Sequence, residues 1–251
     1  MKTLKTLLCM QMQMHLRAIC VCCISAKIYS NNERQMLVSR IEPGNLRRYN
    51  MTNHLNIVNV RENFLNLVKD PYIKDGYRRK HLVRYMVTSK NPIGLKYLKQ
   101  EPLFQRKQFN PVHGDMQRYY PRFSPTSHTL EAIKAFVKLS SVQEGQRILV
   151  QVQRITCEDG KAGLPSVEDW HQDDVSEIGI MCVSRHNIIG GENQFRDLNG
   201  YTVLNRILDE GELVIFEDAQ VKHRVTPITV AHPTEGGGYR DVLLMSYGGS
   251  T

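Results

Sequence analysis

No stretch of the 251 residues approaches the roughly 18 consecutive apolar side chains that a helix needs to cross a bilayer, so no segment reads as a membrane span. Cysteine is sparse where a scaffold would need it. Of six cysteines, Cys9, Cys20, Cys22 and Cys23 crowd near the N-terminus, leaving Cys157 and Cys182 for the rest of the chain. That distribution excludes a disulfide framework. Cys20, Cys22 and Cys23 lack the second paired cluster a zinc site requires, and Cys182, inside an apolar run, reads as a small core residue. Internal repeats and low-complexity tracts are also missing, which removes solenoids and fibrous arrays.

Acidic residues are absent from residues 1 to 30, where Lys2, Lys5, Arg17 and Lys27 flank the short apolar run Ile19 to Ala26. A weak targeting signal has this look, but Gln11, Gln13, His15 and Arg17 interrupt its apolar part. We read residues 1–50 as a poorly conforming N-terminal extension, with Met51 as an alternative start, and residues 51–251 as one domain. The cysteine usage suits a reducing cytosol, so a cytoplasmic location is expected.

Charge divides unevenly. Residues 1–125 hold 22 Lys/Arg against 7 Asp/Glu, and residues 126–251 hold 11 against 18. The basic half raises nucleic acid as a partner. Arg78, Arg79 and Lys80 with Tyr77 and Tyr85, and Arg118, Tyr119 and Tyr120 with Arg122, mix cations and aromatics as single-strand binding surfaces do. No recognisable nucleic-acid module accompanies them, and a solvated basic face packed on the acidic half is the favoured reading.

The C-terminal half alternates strand and turn signals. Ile178 to Val183 is a buried-strand run, Gly190-Gly191 and Gly211 mark turns, and Leu213 to Phe216 is a second buried run. Val221 to Val225 and Arg240 to Tyr247 complete the set, with a Pro/Gly-rich turn from Pro227 to Gly238 between them. Such a series indicates an antiparallel barrel or jelly roll, with its core at about 110–250. Ahead of it, His54 to Val68 reads as an amphipathic helix through Leu55, Val58, Phe64, Leu65 and Val68. Leu130 to Leu139 is a stronger helix, capped by Ser127 or Thr129, with Ile133, Phe136 and Val137 turned to the core. The fold class is therefore β-rich α+β.

Within this frame, His171 and Asp173 stand two residues apart, a spacing that on a strand projects both from one face while Gln172 points away. His223 shares the face of Val221 and Val225 on its own strand. Two imidazoles and a carboxylate form the facial triad of non-heme iron(II) oxygenases, which leaves open positions on the metal. A His-x-Asp triplet alone is weak, since nine histidines and 25 acids produce such spacings by chance. Arg240, opening a buried strand, needs a partner to offset its desolvation. Asp241 lies on the other face. Either a carboxylate from Glu210 to Asp218 or the carboxylate of a ligand would serve.

Four segments then carry a resemblance: Trp170 to Asp174, Arg185 to Asn193, His223 to Pro227 and Tyr239 to Leu244. From Gln151 to Tyr247 the chain resembles the iron(II)/2-oxoglutarate-dependent dioxygenases of the L-isoleucine 4-hydroxylase type. That resemblance implies a double-stranded β-helix with iron(II) on His171, Asp173 and His223. It implies Arg240 on the distal carboxylate of 2-oxoglutarate, with Thr226 adding a hydroxyl contact. Gln151, Gln153 and Arg154 stand where members of the family line the substrate pocket, though Ile155 replaces the aromatic that follows the arginine. The implied reaction consumes dioxygen and 2-oxoglutarate, releases succinate and carbon dioxide, and hydroxylates an aliphatic C–H bond of a free amino acid. Ascorbate is the expected reductant in vitro. Arg154 is the candidate for the substrate carboxylate. Asp174 is the candidate for its ammonium, unless Asp174 is simply solvated or bound to a backbone amide. Two other functions remain open: the same chemistry on a macromolecule recruited by the basic half, and a non-catalytic nucleic-acid-binding protein. Oligomeric state is not legible.

Overall fold

The computed structural model describes residues 39–41 and 45–249. Residues 1–38, with the four N-terminal cysteines and the apolar run of the expected extension, lie outside the described residues. The chain forms strands β1 (Ser39–Ile41) and β2 (Leu46–Asn50), helix α1 (Ile57–Arg61), strands β3 (Arg78–Lys90) and β4 (Ile93–Tyr97), and helix α2 (Ser127–Leu139). Nine strands follow: β5 (Arg147–Cys157), β6 (Glu177–His186), β7 (Ile188–Gly190), β8 (Asn193–Asp197), β9 (Thr202–Arg206), β10 (Glu212–Glu217), β11 (Val221–Val225), β12 (Ile228–Val230) and β13 (Gly238–Tyr247).

An eight-stranded antiparallel sheet in the order β1-β2-β10-β6-β13-β5-β3-β4 faces two small sheets, β11-β8-β9 and β12-β7. This is the jelly roll, or double-stranded β-helix, expected from the strand and turn pattern. The large sheet also draws on residues ahead of 110. β3 pairs with β5, and Leu46 to Asn50, assigned from sequence to the extension, pair with β10 as β2. The basic composition of these segments hid their strand character.

Helix α2 covers the outer face of the large sheet, where Ile133, Phe136 and Val137 are fully buried against Val83, Val150, Met181 and Leu243. Each such side chain contributes about 1.5–3 kcal/mol by leaving water. The helix starts at Ser127, three residues ahead of Leu130, and neither Ser127 nor Thr129 caps it. Thr126 is the cap, because it keeps an extended backbone and its hydroxyl accepts the Thr129 N–H at 3.2 Å. The expected helix over His54 to Val68 is only the five residues of α1 and a 3-10 turn at Glu62–Phe64. That tightening changes the buried face: Leu55, Val60 and Phe64 are inside, whereas Val58, Leu65 and Val68 are exposed.

The inner face of the large sheet makes a second core. Ile178, Ile180 and Cys182 of β6 meet Phe195, Phe216 and Val242 there. Because β6 is buried on both faces, its sequence reads as one apolar run. Cys157 and Cys182 are free and buried. Among the described residues no helix is long and apolar enough to cross a membrane.

Candidate active site

Two main-chain hydrogen bonds build the centre. The His171 N–H donates to the His223 carbonyl at 3.1 Å and the His223 N–H to the His171 carbonyl at 3.0 Å. In the main chain this is an isolated bridge between the segment and β11. The strand expected at His171 to Asp173 is therefore a loop, bounded by left-handed backbone at Asp169 (φ 60°) and Asp174 (φ 62°). Its shape comes from Asp218, a buried residue whose carboxylate accepts the Asp173 N–H at 2.9 and 3.0 Å and the Val175 N–H at 3.4 Å. The Gln172 side chain donates to the Asp218 carbonyl at 2.8 Å, so it points away from the centre, as the i, i+2 reading required.

Three potential ligand atoms, one each from His171, Asp173 and His223, lie within 4.8 Å of one another. The Nδ1 of His171 is 2.8 Å from the Asp169 carbonyl, and donation to that oxygen leaves its Nε2 lone pair for a metal. Nε2 of His223 is 3.5 Å from Asp173 Oδ2. The other carboxylate oxygen, Oδ1 of Asp173, accepts from Gln105 Nε2 at 3.1 Å. One oxygen of the aspartate is thus fixed by the protein while the other faces the histidines. This donor set fits a ferrous ion with open coordination positions.

The electrostatics agree with the geometry. Burial works against the Asp173 anion, yet its contact with His223 and the charges of His171 and Lys80 hold it well below the usual carboxylate range. Burial likewise opposes charge on His171, but Asp173, the Asp169 carbonyl, Glu168 and Asp218 together raise its pKa. Burial and the neighbouring Asp173 push Asp218 upward.

The centre opens into a cavity of about 150 Å³ whose floor is the inner face of the large sheet. Strand register orders that floor in rows. Arg240, Ile155 and Arg78 stand side by side on β13, β5 and β3; Val242, Gln153 and Lys80 form the next row, and Leu244, Gln151 and Leu82 the one after. Gln151 and Gln153 therefore line the cavity. Arg154 does not, because strand alternation turns it to the opposite face. There it grips Asp241 through two bonds of 2.7 Å and lies over the Tyr239 ring. Asp174 pairs with Arg106 at 2.6 and 2.8 Å, at a partly exposed position outside the cavity. The Thr226 hydroxyl accepts the Glu192 N–H at 3.0 Å and is absent from the cavity wall.

Arg240 is 2% exposed and lines the cavity. Its Nη2 donates to Asn193 Oδ1 at 3.1 Å, and its Nε has no partner. Among the described residues no carboxylate pairs with it. The acids of the Glu210 to Asp218 stretch are committed elsewhere: Glu210 to Arg61, Glu212 to Arg48 and Arg206, and Glu217 to Asn45. Burial lowers the Arg240 pKa to about 10. Gly191, at φ 71°, admits this side chain, since a Cβ there would sit 3.2 Å from Arg240 Cδ.

A family model described as 2OG-Fe dioxygenase matches residues 61–246. The chain belongs to this family. As a 2OG-Fe dioxygenase it is an oxidoreductase that uses iron(II), 2-oxoglutarate and dioxygen. Among solved structures, the dioxygenase is similar to a bsmA homolog from Methylobium petroleophilum PM1, with 26% identity and a TM-score of 0.63 over 76% of this chain and 79% of that one. It is similar in fold to IDO from Bacillus thuringiensis, with 15% identity and a TM-score of 0.59 over 82% and 90% of the two chains. A third, the Fe(II)/(alpha)ketoglutarate-dependent dioxygenase TqaL, shares 14% identity and a TM-score of 0.52 over 76% and 73%. No curated protein matches the chain.

Several site residues of the dioxygenase escaped the sequence reading. Arg78, Lys80, Tyr85, Arg118 and Tyr120, grouped there as a basic and aromatic surface, are all buried, and Arg78, Lys80 and Arg118 line the cavity. The period-2 series Arg78, Lys80, Leu82 on a strand was the available signal. Gln105 and Asn110 come from irregular chain, where no periodicity marks an inward side chain.

Proposed function

We propose that this dioxygenase hydroxylates an aliphatic C–H bond of a free L-amino acid similar to isoleucine, leucine or methionine. His171, Asp173 and His223 are the iron(II) ligands, and Arg240 anchors the distal carboxylate of 2-oxoglutarate. The observation that carries this reading is the convergence of the three donors on a small cavity whose far end holds a buried guanidinium without a carboxylate. When bound, iron and 2-oxoglutarate supply the oxidising power: one atom of dioxygen leaves in succinate, the other enters the substrate, and carbon dioxide is released. The chain supplies position. Asp169 and Gln105 orient two of the donors, Asp218 sets the loop between them, and apolar walls such as Leu103, Leu149 and Leu244 keep water from the reacting carbon. Gln151 Oε1, buried and without a hydrogen-bond partner, is an acceptor available to a substrate ammonium.

Purified protein given iron(II), ascorbate and 2-oxoglutarate is expected to release succinate in response to at least one of these amino acids. Silence across a full amino-acid panel, with stimulation by a peptide or an oligonucleotide, overturns the reading. Asp218→Asn tests the loop. Amide nitrogen replaces one of the two oxygens that receive the Asp173 N–H, and iron affinity is expected to fall about 10- to 100-fold. An unchanged iron titration would show that other contacts shape the loop.

A further inference from the structure

A second group of cations lines the cavity, apart from Arg240. Arg78 and Lys80 belong to β3, two strands away from β13, which places their backbones about 10 Å from that of Arg240 across the sheet. Arg118 lies in the chain between β4 and α2. All three are at most 6% exposed. Their compensation is incomplete. Arg78 Nε donates to Asp70 Oδ2 at 2.6 Å, while its Nη2 has no partner. Arg118 donates to the neutral Gln105 Oε1, and its Nε is also without a partner. The Lys80 ammonium lies 4.8 Å from the Tyr120 ring centroid, with no hydrogen-bond acceptor or ion-pair partner among the described residues. Three buried cations face the carboxylate of Asp70 and, beyond ion-pair distance from Lys80, the charge of Asp173, which His171 and His223 already share; the positive charge left over is desolvated and calls for an anion.

We infer that Lys80, with Arg78 and Arg118, forms the subsite for the substrate's own carboxylate, at the opposite side of the cavity floor from Arg240. This inference rests on the free-amino-acid reading and deepens it, since it assigns to β3 the role that Arg154 cannot fill. Gln151 and Gln153 of β5 stand between the two cationic poles. Two carboxylates, one from the co-substrate and one from the substrate, are thereby kept on separate sides of the metal centre. Gln105 joins the second pole to the centre, since it accepts from Arg118 and donates to Asp173. Burial and the charges of Arg78 and Arg118 bring the Lys80 pKa down to about 7, and an arriving carboxylate would favour its charged form. A substrate must therefore present a free acid group, which excludes residues inside a peptide chain.

The test is calorimetric and needs no turnover. The full chain, loaded anaerobically with iron(II) and 2-oxoglutarate, is titrated with L-isoleucine, L-leucine and L-methionine, with their amides, and with the corresponding acids that lack the amine. The acids are expected to bind and the amides to fail. Lys80→Met keeps the bulk of the stem and removes the charge. It is expected to weaken the acids about 10- to 100-fold, the loss of one charge-assisted contact, with the 2-oxoglutarate requirement unchanged. Its melting temperature without ligand should not fall, because the ammonium it removes lacks a carboxylate. Wild-type affinity for the acids in Lys80→Met, equal binding of the amides, or a raised 2-oxoglutarate requirement would each overturn the subsite. If amine-free acids bind in a Lys80-dependent manner while the amino acids do not, the subsite stands and the amino-acid reading falls.

Discussion

His171→Ala is expected to abolish both iron retention and 2-oxoglutarate-dependent succinate formation, while leaving the fold in place. The protein offers three donor atoms in this cluster, and removal of one leaves only two to hold a metal. The structure explains why this is the cleaner of the two histidine variants. His171 is joined to His223 through main-chain N–H and carbonyl groups, which alanine retains, and its side chain is not part of a hydrophobic cluster. His223, by contrast, packs its ring 5.0 Å from Phe216 and 6.2 Å from Phe195, so its truncation would mix lost packing with lost ligation. For His171→Ala the change in folding stability should stay within about 1 kcal/mol, in the range typical of substitutions that open no core cavity. Metal content after dialysis, succinate release and thermal denaturation measure the three quantities separately. Iron-dependent turnover that persisted in this variant would falsify the ligand assignment.

The strands that carry the site were legible because their side chains alternate or run apolar between glycine turns. β6, β10, β11 and β13 contain the expected runs, and the His171, Asp173 and His223 side chains do converge. Their route to convergence was not legible. The sequence suggests a strand at His171, but the histidine makes one bridge, and the loop is held by Asp218, a residue 45 positions away from Asp173. Nothing in the local pattern distinguishes such an acid from a surface one.

The N-terminal half misled for a different reason. Lysine and arginine are usually solvated, so a strand reading Arg78-Arg79-Lys80 resembles a basic surface when composition is weighed alone. Alternation separates them: Arg78 and Lys80 are buried on the cavity side, whereas Arg79 faces the other way and reaches the Leu67 carbonyl. Arg154 and Asp241 show the same effect in the opposite sense. The proximity of Arg154 to pocket residues in sequence suggested a substrate contact, yet one step along a strand carries a side chain through the sheet, and the two satisfy each other there. Position along a strand, more than residue type, decided which cations belong to the site.

Arg240→Ala is expected to raise the concentration of 2-oxoglutarate needed for half-maximal succinate formation by about 100-fold or more. Loss of one partner from a buried, hydrogen-bonded charge pair costs about 2–5 kcal/mol, and the planar fork of arginine suits a carboxylate that a single donor would hold less well. Iron binding should be unaffected, since Arg240 is not among the clustered donors. The same geometry predicts an asymmetry in stability. In the protein without ligand, this guanidinium is buried with, among the described residues, only the neutral Asn193 as a side-chain partner, so an apolar replacement of similar length removes a desolvated charge and should not lower the melting temperature. Arg240→Met, which fills the space that alanine would leave, isolates that effect. If the residue serves as a ligand anchor, the variant melts no lower than wild type when empty and gains little on addition of 2-oxoglutarate, whereas wild type gains in proportion to occupancy. A purely structural arginine would show the reverse: a destabilised empty protein and an undiminished response to 2-oxoglutarate. Equal loss of iron from Arg240→Ala and His171→Ala would contradict the division of roles between the two ends of the cavity.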